Sequence, residues 1–196
     1  MAYASKTKAA AGLMLMWIGL LWFLEILDQA SGNALDGYGI EPRRLSELFD
    51  VVPAAFIHFG FGHLMGNTVP LLVLGFLAAL RGVGRFIQVA FTIILVSGLG
   101  VWLIAPENSN TAGASGVVFG LFGYLLIRGF VDRRLSDIAI GVLVAVFYGS
   151  ILWGVLPTQA GVSWQAHLFG LIGGVIAAFT TSVSRREIRT APTTGY

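Results

Sequence analysis

Residues 113–127 read GASGVVFGLFGYLLI, and this stretch decides the fold. As a helix, the apolar run from Ser115 to Ile127 covers ~20 Å, whereas the hydrocarbon core of a bilayer is ~30 Å thick. The preceding segment, PENSNTAG (106–113), is polar, and such backbone is tolerated at membrane depth only inside protein or beside water. We therefore expect a short helix in the middle of a bundle, beneath a water-filled cavity.

The composition of the whole chain excludes a water-soluble globule. Of its 196 residues 56% are hydrophobic and 11% are charged, with a mean hydropathy of +0.82, against about 45–50% apolar and about 25% charged in soluble proteins. Six apolar runs predict spans, at about residues 9–28, 61–80, 86–105, 115–130, 137–156 and 164–182. The predicted fold is an all-α membrane protein, a six-helix bundle with the short fourth helix at its centre, forming a single domain over residues 1–196.

The basic residues indicate the orientation of the bundle. Six spans put both termini on one side, and all Lys and Arg residues except Arg43 and Arg44 fall on that side, which the positive-inside rule makes cytoplasmic. The loop from Ser31 to Phe59 is then external. We expect an integral, multi-pass protein of a bacterial cell membrane, with a disordered tail at about 184–196. The basic residues form no single patch, so the lipid bilayer is an expected partner and nucleic acid is not.

The chain contains no cysteine, which narrows its possible chemistry. Disulfides, thiolate nucleophiles and cysteine-ligated metals are excluded, so any nucleophile is an oxygen or an amine. The histidines His58, His63 and His167 all lie toward the predicted external ends of their helices. An ionisable group in a membrane segment is a functional candidate by default. We expect no metal and no cofactor, with a haem between His63 and His167 as an alternative.

Ser115 stands in the motif GASG at the start of the short helix. Free N–H groups and the helix dipole favour negative charge at such a position, which suits an oxyanion. Gly113 and Gly116 would allow a tight turn and a close approach of backbone to the hydroxyl. The alternative is that the serine only caps the helix.

His167 is the candidate base for this serine, since histidine has a reference pKa of ~6.5. Gly170 and Gly174 follow it on the same helix face, and we expect this stripe to dock on the glycine stripe of the short helix. Such docking would bring the imidazole beside Ser115. The alternative is a structural histidine that hydrogen-bonds between helices. Because no carboxylate is available as a third member, a Ser-His dyad fits better than a triad.

His63 and Asn67 lie four residues apart on one face of the second span. Both can donate hydrogen bonds, and donors aimed at developing negative charge are a large contribution to acyl transfer. The alternative is an interhelical hydrogen-bonding pair. His58, at the junction of loop and helix, is interpreted as structural support.

Taken together, these motifs resemble the rhomboid intramembrane serine proteases. The family pattern HxxxxHxxxN appears as His58, His63 and Asn67; GxSG appears as residues 113–116; and AHxxGxxxG appears as Ala166, His167, Gly170 and Gly174. The resemblance implies a hydrolase in which Ser115 is the nucleophile and His167 the base, while His63, Asn67 and the Ser115 N–H form the oxyanion hole. It also implies transmembrane protein substrates, cut in or near their spans from the outer side.

Two positions depart from the family pattern. Many members have tyrosine one turn after the serine, packing on the catalytic histidine, and this chain has Phe119. A Trp-Arg pair common in the first external loop is missing, and the nearest basic pair is Arg43 and Arg44. The alternative function is a catalytically silent rhomboid-like protein that binds membrane helices. Such relatives usually lack the serine or the histidine.

Overall fold

The computed structural model describes residues 2–158 and 161–182 and has the predicted fold class, an all-α bundle. The helices are α1 (Ala2–Ala30), α2 (Phe61–Ala79), α3 (Val83–Ile104), α4 (Ser115–Asp132), α5 (Leu135–Tyr148) and α6 (Trp164–Thr180). Four short 3₁₀ helices cover Ala34–Tyr38, Leu45–Val51, Pro53–Phe56 and Gly149–Val155. The last of these we call the post-α5 segment. The predicted disordered tail lies outside the described residues.

Five of the helices are long and apolar enough to cross a membrane, α5 being counted together with the post-α5 segment. The sixth helix, α6, is apolar and has 17 residues, so at ~1.5 Å per residue it covers ~25 Å. Together they make the chain an integral, multi-pass membrane protein, as the composition predicts.

The prediction that the fourth helix is central is confirmed. Within its apolar window 67% of the residues of α4 are buried, against 11% for α5 with the post-α5 segment. Helix α4 packs against α2, α3, α5 and α6, most extensively against α6. A helix that is apolar on all sides is stable only when it is surrounded in this way.

Glycines hold α4 and α6 close together, which confirms the predicted docking of the two stripes. A Cβ added to Gly120 would lie 2.8 Å from the Gly170 carbonyl oxygen. One added to Gly174 would lie 2.9 Å from the Tyr124 nitrogen and would overlap the Gly120 carbonyl. No larger residue fits at these crossings, so the glycines set how near Ser115 and His167 can come.

The inner end of α4 lies two residues beyond the predicted span, which ended at about residue 130. The helix continues to Asp132, and Arg128 is only 2% exposed. Its guanidinium pairs with Asp132 at 2.7 Å and donates to the Ala178 carbonyl at 3.0 Å and to the Thr181 hydroxyl at 3.1 Å. A charge can be buried inside the bundle because these partners neutralise and hydrogen-bond it.

A second arginine ties this inner end to its neighbours. Arg81, in the short connection between α2 and α3, pairs with Asp132 at 3.5 Å and also with Asp137 at the start of α5. We call Arg81, Arg128, Asp132 and Asp137 the inner ion cluster. It links α4 to α5, to α6 through Arg128, and to the α2–α3 connection.

The long loop between α1 and α2 is anchored by Arg43, although the family's Trp-Arg pair is missing. The Arg43 N–H donates to the Trp102 carbonyl at 3.0 Å. Its guanidinium donates to the carbonyls of Leu103 (3.1 Å) and Ala105 (2.8 Å) and pairs with Glu107 at 3.4 Å. One arginine therefore fastens the loop to the outer end of α3. Further along the loop, the Leu45 and Phe49 side chains are exposed.

Candidate active site

The predicted cavity is present at the outer end of α4, with a volume of about 780 Å³. It lies among the long loop, the polar 106–113 segment and helices α2, α3, α4 and α6. Seven of the nine predicted site residues line it: His63, Asn67, Gly113, Ser115, Gly116, Phe119 and His167. The remaining two, His58 and Gly170, pack behind its wall.

Ser115 is the first residue of α4 and does not cap it. The N-cap position belongs to Ala114, and no side chain makes a cap hydrogen bond there. Within the described part of the chain, the Ser115 hydroxyl makes no hydrogen bond, either to His167 or to any other group. The hydroxyl is half-buried and faces the cavity, while the first N–H groups of α4 stay available beside it.

The turn before Ser115 is held from two sides. Gly113 has φ +128°, a conformation that residues with a side chain rarely adopt, and its N–H donates to the Ala54 carbonyl at 2.8 Å. The next N–H, of Ala114, donates to Nε2 of His58 at 3.2 Å. Burial, together with the nearby His63, lowers the pKa of His58 to about 4, so its ring is neutral and accepts this bond at pH 7.

His63 and Asn67 lie directly against this turn. A Cβ added to Gly113 would lie 2.8 Å from Nε2 of His63 and 3.8 Å from Nδ2 of Asn67. The Asn67 amide nitrogen is buried and, among the residues described, has no hydrogen-bond partner. An unpaired buried donor is costly, about 1–3 kcal/mol. The donor therefore lies beside the turn that precedes Ser115.

His167 is held by a ring and by a main-chain carbonyl. Its imidazole stacks on Phe119 with the ring centroids 4.0 Å apart and the planes 6° apart, so the ring expected to pack on this histidine does so without a hydroxyl. Its Nδ1 lies 2.8 Å from the Gly154 carbonyl oxygen in the post-α5 segment. Among the described residues, His167 makes no hydrogen bond to Ser115, although both line the cavity.

Sequence reasoning missed three groups around this cavity. Gly154 and Ala54 contribute main-chain carbonyls, and a carbonyl carries no residue-specific signal. Ser97, on α3, is buried and donates to the Ala166 carbonyl at 2.9 Å, immediately before His167, while packing on Gly116. A polar residue inside an apolar span was the signal that could have found Ser97.

Comparison with known proteins gives one family. A family model described as the rhomboid domain matches residues 45–184. An uncharacterized protein of Mycobacterium tuberculosis is 42% identical over 184 residues, which cover 90% of this chain and 77% of that protein. The rhomboid protease GlpG of Yersinia enterocolitica is 28% identical over 91% of this chain and 66% of its own length. The rhomboid protease GluP of Bacillus subtilis is 28% identical over 81% of this chain and 32% of its own length.

Proposed function

This chain belongs to the rhomboid family, and from that premise we propose that it is a serine endopeptidase that hydrolyses peptide bonds in or near transmembrane segments of other membrane proteins. One observation carries the proposal. A free serine hydroxyl at the N-terminus of the central helix shares a cavity with an oriented histidine and an unpaired buried amide.

The proposed reaction starts with attack of the Ser115 hydroxyl oxygen on the carbonyl carbon of the substrate. The serine proton passes to Nε2 of His167, which then delivers it to the leaving amine. Nε2 then takes a proton from water, the resulting hydroxide attacks the acyl-enzyme carbonyl, and the ester bond to Ser115 breaks as Nε2 returns that proton to the serine oxygen. A dyad is sufficient for these steps because one imidazole serves as base and acid in turn.

The negative charge that develops on the substrate oxygen needs donors already in place. The Asn67 amide, the His63 ring and the Ser115 N–H are proposed as these donors. The unpaired state of Asn67 supports this role, because a donor without a protein partner needs no rearrangement to receive the oxyanion. A second imidazole, that of His63, together with an amide and a helix N-terminus at the same cavity, also argues against a purely structural interpretation.

The substrate class follows from the position of the site. The cavity lies among helices that span a membrane, so a substrate reaches it from the bilayer or from its surface. A peptide bond inside a helix is shielded by its own hydrogen bonds. The proposed substrate is therefore a membrane protein whose chain unwinds locally near the cut.

Labelling with a fluorophosphonate tests the proposal. The reagent should modify Ser115, and both Ser115→Ala and His167→Ala should abolish the modification and the cleavage of a single-span substrate in liposomes. Ser109→Ala is the matched control, since Ser109 lines the same cavity but bonds to the Pro106 carbonyl at 2.7 Å. Ser109→Ala should label and cleave like the wild type.

The outcomes separate the protease from the silent helix-binding alternative. A folded Ser115→Ala variant that still cleaves would end the serine-protease proposal. A wild-type protein that neither labels nor cleaves, yet still binds single-span helices, would favour the silent alternative.

The proposed orientation, with both termini in the cytoplasm and the active site facing outward, needs its own test. Ser5→Cys and Asn33→Cys each introduce the only thiol of the chain. In intact cells, an impermeant thiol reagent should label the Asn33→Cys protein and not the Ser5→Cys protein. The reverse pattern would invert the orientation.

A further inference from the structure

The hydrogen bond between His167 and Gly154 decides which ring nitrogen carries the proton. A carbonyl oxygen can only accept, so the 2.8 Å contact requires a proton on Nδ1. In the neutral ring the lone pair is then on Nε2. For His167 to act as a base, Nε2 must be unprotonated, because Nδ1 is already bonded to the Gly154 carbonyl.

In hydrolases with a triad, a carboxylate holds the histidine in this tautomer. Among the described residues of this chain, no carboxylate contacts His167, and Gly154 is its one hydrogen-bond partner through a ring nitrogen. The Phe119 ring fixes the plane of the imidazole but offers no acceptor. The proton position is therefore set by a main-chain group.

The Gly154 carbonyl reaches the ring because residue 154 has no side chain. A Cβ at this position would lie 2.8 Å from Cζ of Phe119 and 3.0 Å from Nδ1 of His167. Both distances are shorter than ordinary contacts, so a methyl group here would push the stacked rings away from the carbonyl. Gly149, at the other end of the same post-α5 segment, has nothing within 4 Å of an added Cβ.

We propose that Gly154 is a positioning residue: its carbonyl holds His167 as the Nδ1–H tautomer, which leaves Nε2 free to take the proton of Ser115. The post-α5 segment thereby fixes the histidine tautomer in this dyad, as a carboxylate does in a triad. The catalytic consequence rests on the proposed function, whereas the tautomer itself does not.

Nitrogen-15 NMR of the histidine-labelled full chain in detergent micelles, at about pH 8 and so above the reference pKa of ~6.5, reads the tautomer directly. The His167 signals are those lost in His167→Asn. The wild-type ring should show a protonated Nδ1 and an unprotonated Nε2. A protonated Nε2 in the wild type would overturn the proposal, whether or not the protein cleaves substrate.

The matched pair Gly154→Ala and Gly149→Ala then tests the consequence. Gly154→Ala should lower kcat by about 10²-fold, the scale expected when a reacting group is displaced by ~1 Å, with KM little changed and with a mixed tautomer at His167. Gly149→Ala should keep the wild-type tautomer and rate. A folded Gly154→Ala variant as active as Gly149→Ala would overturn the positioning role.

The design distinguishes the two possible failures. A wild-type chain that shows the Nδ1–H tautomer but does not cleave or label would defeat the proposed protease and keep the assignment of Gly154 as the group that sets the tautomer. A chain that cleaves substrate with the opposite His167 tautomer would support the proposed protease function and contradict the proposed role of Gly154.

Discussion

Polar groups lie at both ends of α4, and their surroundings differ. At the inner end, the buried charges of Arg128 and Asp132 form an ion pair and Arg128 also donates to α6, although Nε of Arg128 and Oδ1 of Asp132 have no hydrogen-bond partner among the described residues. At the outer end, the Ser115 hydroxyl and the Asn67 amide have no partner in the described part of the chain. The inner end therefore has its charges paired, whereas the outer end has donors without a protein partner, as the proposed active site requires.

Between these ends, Gly116 and Gly120 of α4 pack against Gly170 and Gly174 of α6, and we call these four glycines the glycine seam. The seam allows α4 to have paired groups at one end and unpaired groups at the other. Because the backbones of α4 and α6 touch along this seam, the position of α4 is fixed without any help from the polar groups at its outer end. Unsatisfied groups at a site reduce stability, and that loss has to be offset elsewhere in the fold.

The largest expected effect is at the inner end, where removing one charge leaves its partner buried. Arg128→Met should lower the free energy of unfolding by about 3–5 kcal/mol, since Asp132 then keeps only the longer contact with Arg81. Thermal unfolding in detergent measures this. Arg134→Met, at an exposed arginine just beyond α4, is the control and should unfold like the wild type.

The comparison also predicts that Arg128→Met molecules that stay folded are active. Their rate per folded molecule should lie within about threefold of the wild type, because the inner end does not touch the reacting atoms. A stable Arg128→Met protein with no activity would mean that the two ends are coupled.

The next effect is at the outer end and should fall on rate instead of stability. Asn67→Ala should lower kcat by about 10²-fold, the usual result of losing one oxyanion donor. The unfolding temperature should not drop, because the Asn67 amide nitrogen has no partner to lose. Cleavage in liposomes and thermal unfolding are measured on the same preparations.

Thr68→Ala is the matched control for Asn67→Ala, since the neighbouring Thr68 bonds to Leu64 and Trp22 and does not line the cavity. It should cleave at the wild-type rate. If both Asn67→Ala and His63→Ala kept full activity, the proposed oxyanion site would be wrong.

A smaller effect is expected in the seam. Gly174→Ala places a methyl group against the Gly120 carbonyl and should cost about 1–3 kcal/mol of stability through overpacking. Gly19→Ala, on α1 with open space around it, should be neutral or slightly stabilising. Equal unfolding temperatures for the two variants would show that the seam is not tight.

The smallest effect concerns the ring that stacks on the base. Phe119→Ala removes a contact worth about 1 kcal/mol and should reduce cleavage and fluorophosphonate labelling about fivefold. Phe119→Tyr keeps the ring and should stay within about twofold of the wild type. Phe130→Ala, at an exposed phenylalanine of the same helix, is the control. A Phe119→Ala protein as inactive as His167→Ala would show that the stack, and not the Gly154 carbonyl, fixes the imidazole.

The fold could be predicted from the sequence because the bilayer imposes simple rules. Apolar length gave the six helices, and the shortness of the run after Ser115 gave the central position of α4; the boundaries agree within a few residues except at α1, which begins at Ala2 and not at about residue 9. The sequence did not show that Arg128 is buried and paired inside the bundle. Its partners Ala178 and Thr181 lie about fifty residues away, and no local pattern reveals them.

The candidate site was predictable where side chains carry the chemistry, and not where the backbone does. Spacing placed His63 with Asn67, and glycine stripes placed His167 near Ser115. The roles of the Ala54 and Gly154 carbonyls could not be predicted, because main-chain groups are the same at every residue and leave no signal in a sequence.

The sequence by itself determined the six-helix class, the order of the motifs and the residues able to carry a dyad, because hydropathy and residue chemistry are local properties. Only the tertiary structure decided that Arg128 is paired, that the Asn67 amide nitrogen has no hydrogen-bond partner among the described residues, and that the Gly154 carbonyl places the proton of His167 on Nδ1. These properties depend on distances of about 3 Å between groups far apart in the chain, and such distances exist only after the helices have packed.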